Sequence, residues 1–385
     1  MDKNIYLVMN CPVSPKSMGG GDRILIEYGK VWNSSGYDLT LLACEEGSAM
    51  CQANNLPADY IIISRFPVRV FGMIGAYLMR IFKTVLTNIR VDDEGLLYSA
   101  SDFLPDTVPA FKAKLSHKYL KWVVGFYLRA RNPFSGEVTL NARNSFYFLQ
   151  QQLSLFLMRF AQVDGVFVLS EEDTDYLVSK GFPPQRIFLT SGGVDLKMIE
   201  NVASGVAEFD ACFVGKFQDQ KGIPELVETW KQVLRKRPRA KLAIIGWGIG
   251  HWADFLRSSI VANGWDQSVH LFGFLDGQDK FSVLKKSKVF VFPSTYESWG
   301  IVTIEAMAAG LPVVAFDLPA LKRNLTQGVV FSSLGDVRGL AASVLELLED
   351  ERLYQKKKDE AEVLSRNYDW EEVGLRALNF LRCLG

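Results

Sequence analysis

Short apolar runs bounded by turn residues alternate along this chain with stretches of helical length. NIYLVM (4–9), DLTLLA (38–43), DGVFVLS (164–170) and RIFLT (186–190) are β-branched or aromatic and lack the polar alternation of a half-solvated strand. They predict buried parallel strands. Residues 22–33 and 143–161 have the length of helices. The second half repeats the order: DACFVG (210–215), a helix over 223–236, KLAIIG (241–246), a helix over 251–262, VHLFG (269–273), VFVFPS (289–294), a helix over 300–309, and PVVAF (312–316). Strand and helix in turn, twice over, predict an α/β protein with a doubly wound sheet in each half. The small and polar stretch LKMIENVASGVAEF (196–209) reads as the joint, and further helices are expected at 335–349, 351–366 and 369–383. The expected domains are therefore 1–197 and 198–366, with 367–385 a terminal helix that can cross back to the first.

Composition agrees with two packed cores: 385 residues, 48% apolar and 22% charged. A net charge of zero argues against a protein that coats nucleic acid. MDKNIYLVMN lacks the basic start and long apolar core of a signal peptide and reads as a first strand. The apolar patch VFGMIGAYLM (70–79) falls short of the about 20 residues that span a bilayer. Cys11, Cys44, Cys51, Cys212 and Cys383 are odd in number and lack paired metal-ligand spacing, as free thiols of a reducing cytoplasm would be. A cytoplasmic protein is expected, in solution or at the cytoplasmic face of a membrane.

Candidate chemistry concentrates in PSTYESWGIVTIEAMAAGLPVVAF (293–316). A strand leads through a loop, Thr295 to Trp299, into a helix that Gly310 stops. Glu297 falls on the loop and Glu305 in the second turn of the helix. A helix start suits a phosphate, and a carboxylate beside that phosphate is best explained by a hydroxyl-rich neighbour. A sugar on one side of a diphosphate and a ribose on the other satisfy both glutamates. Lys216 and Lys221 flank the loop after the strand at 210–215, where they can neutralise the diphosphate. Gly19, Gly20 and Gly21 precede a helix that Asp22 can cap, so backbone there can approach a ligand closely. Gly246, Gly248 and Gly250 lack the βαβ context of a dinucleotide fingerprint, which argues against an oxidoreductase.

The run PSTYESWGIVTIEAMAAGLPVVA resembles the signature of retaining glycosyltransferases of family 4 (glycosyltransferase group 1). SGGVDLKMI (191–199), CFVGKFQDQKGIPELVETW (212–230), IIGWGIG (244–250) and MGGGDRILIEYGKVWNSSGYDLTLL (18–42) resemble that family's other motifs. The resemblance implies a GT-B fold, two doubly wound Rossmann-like domains facing across a cleft. It implies transfer of a sugar from a nucleotide sugar, UDP- or GDP-linked before ADP-linked, with retention and without a metal. No other cofactor is implied. The acceptor is a glycan, a lipid-linked or another hydroxyl compound. Glu297, Lys216 and Lys221 take the catalytic roles; Gly20, Gly21, Gly246, Phe274, Ser298, Trp299, Gly300 and Glu305 bind the donor. The first domain's usual histidine is replaced, in WVVGFYLRARNPF (122–134), by Tyr127 at the nearest position. With Asp102 of SASDFLPD, Tyr127 is the candidate on the acceptor side. Asp92 and Asp93 read as a turn rather than a metal pair. A non-catalytic, sugar-nucleotide-binding or scaffold subunit of the same fold is the alternative.

Residues 61–160 hold 13 Lys and Arg against 6 Asp and Glu. Within them FPVRVFGMIGAYLMRIFKTVLTNIR (66–90) sets Arg69, Arg80, Lys83 and Arg90 around apolar residues without one acid. That segment either lies on an anionic membrane or forms a buried core helix with solvated arginines.

Overall fold

The structure, a computed structural model, describes residues 4–384 apart from 13, 15–17, 204 and 249. Ser204 of the expected joint and Ile249 of the glycine turn thus lie outside the described residues, as do 1–3 and 385. The chain divides into two compact units, one of Met1–Gly192 with Trp370–Gly385, the other of Gly193–Asp369.

The first unit runs β1 (Asn4–Met9), α1 (Gly20–Ser34), β2 (Asp38–Cys44), α2 (Glu45–Ala53), β3 (Asp59–Ser64), α3 (Val68–Leu86) and β4 (Leu96–Ser99). It continues through α4 (Leu104–Ser116), β5 (Lys121–Phe126), α5 (Ala142–Phe160), β6 (Gly165–Val168), α6 (Glu171–Ser179) and β7 (Ile187–Leu189). Among the described residues its strands form one sheet in the order β3-β2-β1-β4-β5-β6-β7, and every pairing is parallel. Parallel strands need both faces covered, which is why they read as unbroken apolar runs. Trp32, Tyr98, Trp122, Phe126 and Phe167 are fully buried in this unit, and burial of a large apolar side chain stabilises by about 1.5–3 kcal/mol.

The second unit runs α7 (Leu196–Glu200), β8 (Phe209–Val214), α8 (Ile223–Lys236), β9 (Leu242–Ile245), α9 (His251–Asn263), β10 (Val269–Gly273) and α10 (Gly277–Lys285). Then come β11 (Ser287–Phe292), α11 (Ile301–Ala308), β12 (Val313–Phe316), α12 (Pro319–Asn324), β13 (Val329–Ser332), α13 (Val337–Glu349) and α14 (Glu351–Ser365). Its sheet, also parallel, has the order β10-β9-β8-β11-β12-β13. In α8 the spacing of Ile223, Leu226, Trp230 and Val233 puts one apolar stripe against the sheet, and Arg235 and Lys236 favour the helix's negative end.

The last helix, α15 (Trp370–Cys383), belongs to the first unit and packs on α1. The Trp32 indole N–H donates to the Gly374 carbonyl at 3.1 Å. A Cβ at Gly374 would stand 2.8 Å from Val31 Cβ, so glycine is what lets the two helices approach so closely.

Of the cations in 66–90, Arg69, Lys83 and Arg90 are exposed and Arg80 alone is placed where neither expectation put it. Arg80 is inside, 1% exposed, and pairs with Glu46 at 2.8 Å, while the apolar side chains of α3 point out. The segment is therefore not a buried core helix with solvated arginines.

Candidate functional site

In the second unit the strand order reverses between β8 and β11: β9 and β10 extend one side of β8, and β12 and β13 extend the other side of β11. Loops at the carboxyl ends of two such strands lead away in opposite directions, which is where ligands bind in open α/β sheets. Here those loops are 215–222 and 293–300. They touch: the Thr295 N–H donates to the Gln220 carbonyl at 2.8 Å. Gly222 has φ +66, and a Cβ there would lie 1.9 Å from the Pro293 carbonyl oxygen. Only glycine meets both demands.

This contact brings Lys221 and Glu297 together. Their ammonium and carboxylate form an ion pair whose side chains are 20% and 10% exposed. The Lys221 Nζ also stands 5.7 Å from the centroid of the Phe292 ring. Lys216 lies half-buried on the same loop. Gly300, at φ +81, opens α11, and the Thr303 hydroxyl donates to its carbonyl at 2.6 Å. Ser298 and Trp299 are buried, the indole edge-on to Tyr368 at 5.1 Å. The Ser294 hydroxyl at the end of β11 is buried with no hydrogen-bond partner among the described residues.

Glu305 is buried in α11, and its Oε1 accepts from Lys280 Nζ at 2.7 Å. Lys280 is itself buried and lies 3.1 Å from Asp276. Sequence reasoning missed Lys280. Its signal was a lysine four positions before Leu284, on the inward stripe of α10 that also holds Phe281.

Gly246 and Gly248 seat one backbone on another. A Cβ at Gly246 would fall 1.9 Å from the Gly215 carbonyl oxygen, and one at Gly248 would fall 2.6 Å from Phe217 Cβ. The Phe217 N–H donates to the Trp247 carbonyl at 3.0 Å, so the turn after β9 carries the loop that bears Lys216. Phe274, just after β10, is 47% exposed.

In the first unit the order reverses between β1 and β4. Gly20 and Gly21 form the first turn of α1 rather than preceding it; the Asp22 carboxylate accepts from the Gly19 N–H at 2.7 Å from inside that turn. A Cβ on Gly21 would meet the Tyr127 ring at 2.8 Å, so the ring covers the helix start. The Tyr127 hydroxyl is bonded to that of Tyr98.

Asp102 is 5% exposed, and its Oδ2 accepts from Gln151 Nε2 at 2.8 Å. The same amide donates to the Leu128 carbonyl and accepts from the Ala130 N–H, so Asp102 fastens the segment after β5. Burial pushes its carboxyl up to about 7, and does the same to Asp106, which accepts from the Asn10 N–H at 2.6 Å. Asp92 accepts from Asn4 at 2.6 Å and Tyr6 at 2.8 Å. Among the described residues no three His, Cys, Asp or Glu side chains cluster as a metal site would.

Residues 197–363 match the family described as glycosyl transferases group 1. A glycogen synthase of Mycobacterium tuberculosis (strain CDC 1551 / Oshkosh) is 29% identical over 164 residues, 42% of this chain and 39% of that one. A phosphatidyl-myo-inositol mannosyltransferase of Mycobacterium leprae (strain TN) is 33% identical over 165 residues, 42% of this chain and 43% of that one. The alignments thus span less than half the length of these relatives. A crystal structure of Anabaena Alr3699/HepE in complex with UDP-glucose covers 99% of both chains at 16% identity with a TM-score of 0.74. That likeness shows the fold, two Rossmann-like α/β domains of GT-B type.

Proposed function

We propose that this chain is a glycosyltransferase whose second unit holds a nucleotide-sugar donor at the loops 215–222 and 293–300. The observation that carries the reading is the meeting of Lys221, Glu297 and the start of α11 where the strand order of the second sheet reverses. The nucleotide-sugar complex of a protein with the same fold, and the group 1 match over 197–363, support it.

Transfer leaves negative charge on the diphosphate as the bond to the sugar breaks. Lys221, Lys216 and the N–H groups opening α11 stabilise that charge, and a single such donor contributes several kcal/mol, about 3, where water is excluded. Glu297 orients Lys221 and accepts from a hydroxyl of the transferring sugar. Glu305, with one oxygen held by Lys280, offers the other to the ribose. Gly246, Ser298, Trp299 and Gly300 shape the loops around the donor, and Phe274 lies alongside the base. UDP or GDP is the nucleotide, and no metal takes part.

The first unit, Met1–Gly192 with the terminal helix, takes the hydroxyl acceptor beside Tyr127 and Asp102. Transfer proceeds with retention, because the family's chemistry forms the new bond on the face the diphosphate leaves. The mostly buried ion pair of Lys221 and Glu297 at the strand ends favours catalysis over a scaffold role.

Thermal unfolding with UDP, GDP and ADP at millimolar concentration tests the donor site. One of them should raise the melting temperature, and Lys221→Ala should remove most of the rise. No shift with any of the three overturns the reading. Proton NMR of the product from an α-linked donor tests the stereochemistry; a β-linkage would refute retention and leave the donor site standing.

A further inference from the structure

Helix α3 is amphipathic in the reverse sense. The side chains it turns inward are Ala76, Arg80 and Thr84, at a spacing of four, whereas Ile74, Leu78, Phe82 and Leu86 on the opposite side are 54–68% exposed. A surface helix of a protein surrounded by water has the opposite arrangement. The orientation is locked. The Arg80 guanidinium donates to Glu46 at 2.8 Å, to the Pro12 carbonyl at 2.8 Å and to the Asn10 and Phe66 carbonyls. Rolling the helix to hide its apolar side would pull this buried charge from all of them and leave it unpaired.

A second apolar stripe lies nearby on α5, where Leu149, Leu153, Phe156 and Phe160 are 49–65% exposed. Tyr77 of α3 joins the two helices: its hydroxyl donates to Gln150 at 3.0 Å, and its ring meets Phe146 at 5.3 Å. Around α3 the exposed charges are Arg65, Arg69, Lys83 and Arg90, with no acidic residue from 65 to 91.

We infer that the face formed by α3 and α5 docks on an anionic lipid bilayer, with the outer stripe of α3 among the acyl chains and the flanking cations on lipid phosphates. Charge decides the occupant. The aliphatic and phenylalanine stripe is flanked around α3 by Arg65, Arg69, Lys83 and Arg90, with the exposed acids Asp92, Asp93 and Glu94 confined to the turn beyond its carboxyl end, and this one-sided charge matches an anionic lipid interface. No described helix is long and apolar enough to cross the bilayer, so α3 lies on it. This inference does not depend on the donor reading of the second unit.

Flotation of the full chain with vesicles of phosphatidylcholine, alone or mixed with phosphatidylglycerol, provides the test. The chain should float with the anionic vesicles and less so as salt rises. Ile74→Ser with Phe82→Ser should lower binding by about tenfold or more, since two inserted side chains are lost. Arg69→Glu with Lys83→Glu should abolish the preference for phosphatidylglycerol. All four positions are exposed, and an unchanged melting temperature confirms that each variant folds. Absence of flotation overturns the inference, as does flotation that both variants retain. A dimer seen by light scattering and dispersed by the serine pair would also overturn it, by showing that a second copy covers this face.

Discussion

Replacing Glu297 by Gln should tighten binding of free nucleoside diphosphate while slowing transfer, a combination that simple loss of a ligand contact does not give. In the structure Lys221 already has an anion, Glu297, with both side chains mostly buried at 20% and 10% exposure. An incoming diphosphate must share that ammonium or displace the carboxylate. At an effective dielectric of about 20, opposite charges about 4 Å apart attract by roughly 4 kcal/mol. Solvent at the open side and the hydrogen bond that Gln retains reduce the difference to about 1–2 kcal/mol. The diphosphate should therefore bind about 5- to 30-fold more tightly to Glu297→Gln. Turnover of the complete donor should fall by about tenfold or more, because the same carboxylate is proposed to orient the lysine and hold the sugar. Isothermal titration with UDP or GDP reads the first effect and product formation the second. The double variant Lys221→Met with Glu297→Gln must lose the gain. Equal or weaker diphosphate affinity in Glu297→Gln, or a gain that persists without Lys221, refutes the proposed competition.

Lys280→Met should destabilise the second unit by about 3–5 kcal/mol, because it strands a buried Glu305, whereas Glu305→Gln should cost about 1–2 kcal/mol since Lys280 keeps Asp276. Calorimetric melting should show the larger fall for Lys280→Met, and equal falls would mean that Glu305 does not depend on the lysine. Asp102 and Asp106 both titrate near 7 in the folded state, above their unfolded value near 3.8. Between those two values the folded chain binds more protons, so stability falls as pH rises from about 4 to about 7, by on the order of 1 kcal/mol per pH unit for each group, and levels off above. Asp106→Asn should flatten the melting temperature against pH over that range; an unchanged slope would assign it elsewhere.

The periodic parts of the fold were legible where a strand is buried on both faces: NIYLVM becomes β1 at the residues its apolar run marks, and PVVAF holds the fully buried β12. The edge strand β3, DYIIIS, was harder to see because it opens on Asp59 and leaves Ile61 and Ile62 exposed, so burial gives its sequence no clean pattern. Helix α4 was hidden by Pro105 and Pro109, which read as breakers although Pro105 sits in the permitted first turn. At the site, the strand–loop–helix units that carry Lys221 and Glu297 followed from order alone. Their mutual pairing did not, since 76 residues separate them and only the strand order makes the loops neighbours. Arg80 shows the same limit in reverse: local composition placed it in solvent, and distant partners at Asn10, Pro12 and Glu46 draw it inside.

The return of α15 to the first unit bears on how the chain is made. Residues 193–369 are contiguous and have what they need once they leave the ribosome, but the first-synthesised half lacks its last piece until residues 370–385 have been made. At about 5–20 residues per second that wait lasts on the order of ten to thirty seconds. Throughout it, the side of α1 carrying Tyr28, Val31 and Trp32 has no Trp370 or Gly374 to close on. Nascent chains should therefore engage holdase chaperones through α1, and a premature stop shortly before 370 should send the amino-terminal half to proteolysis while sparing the half made after it.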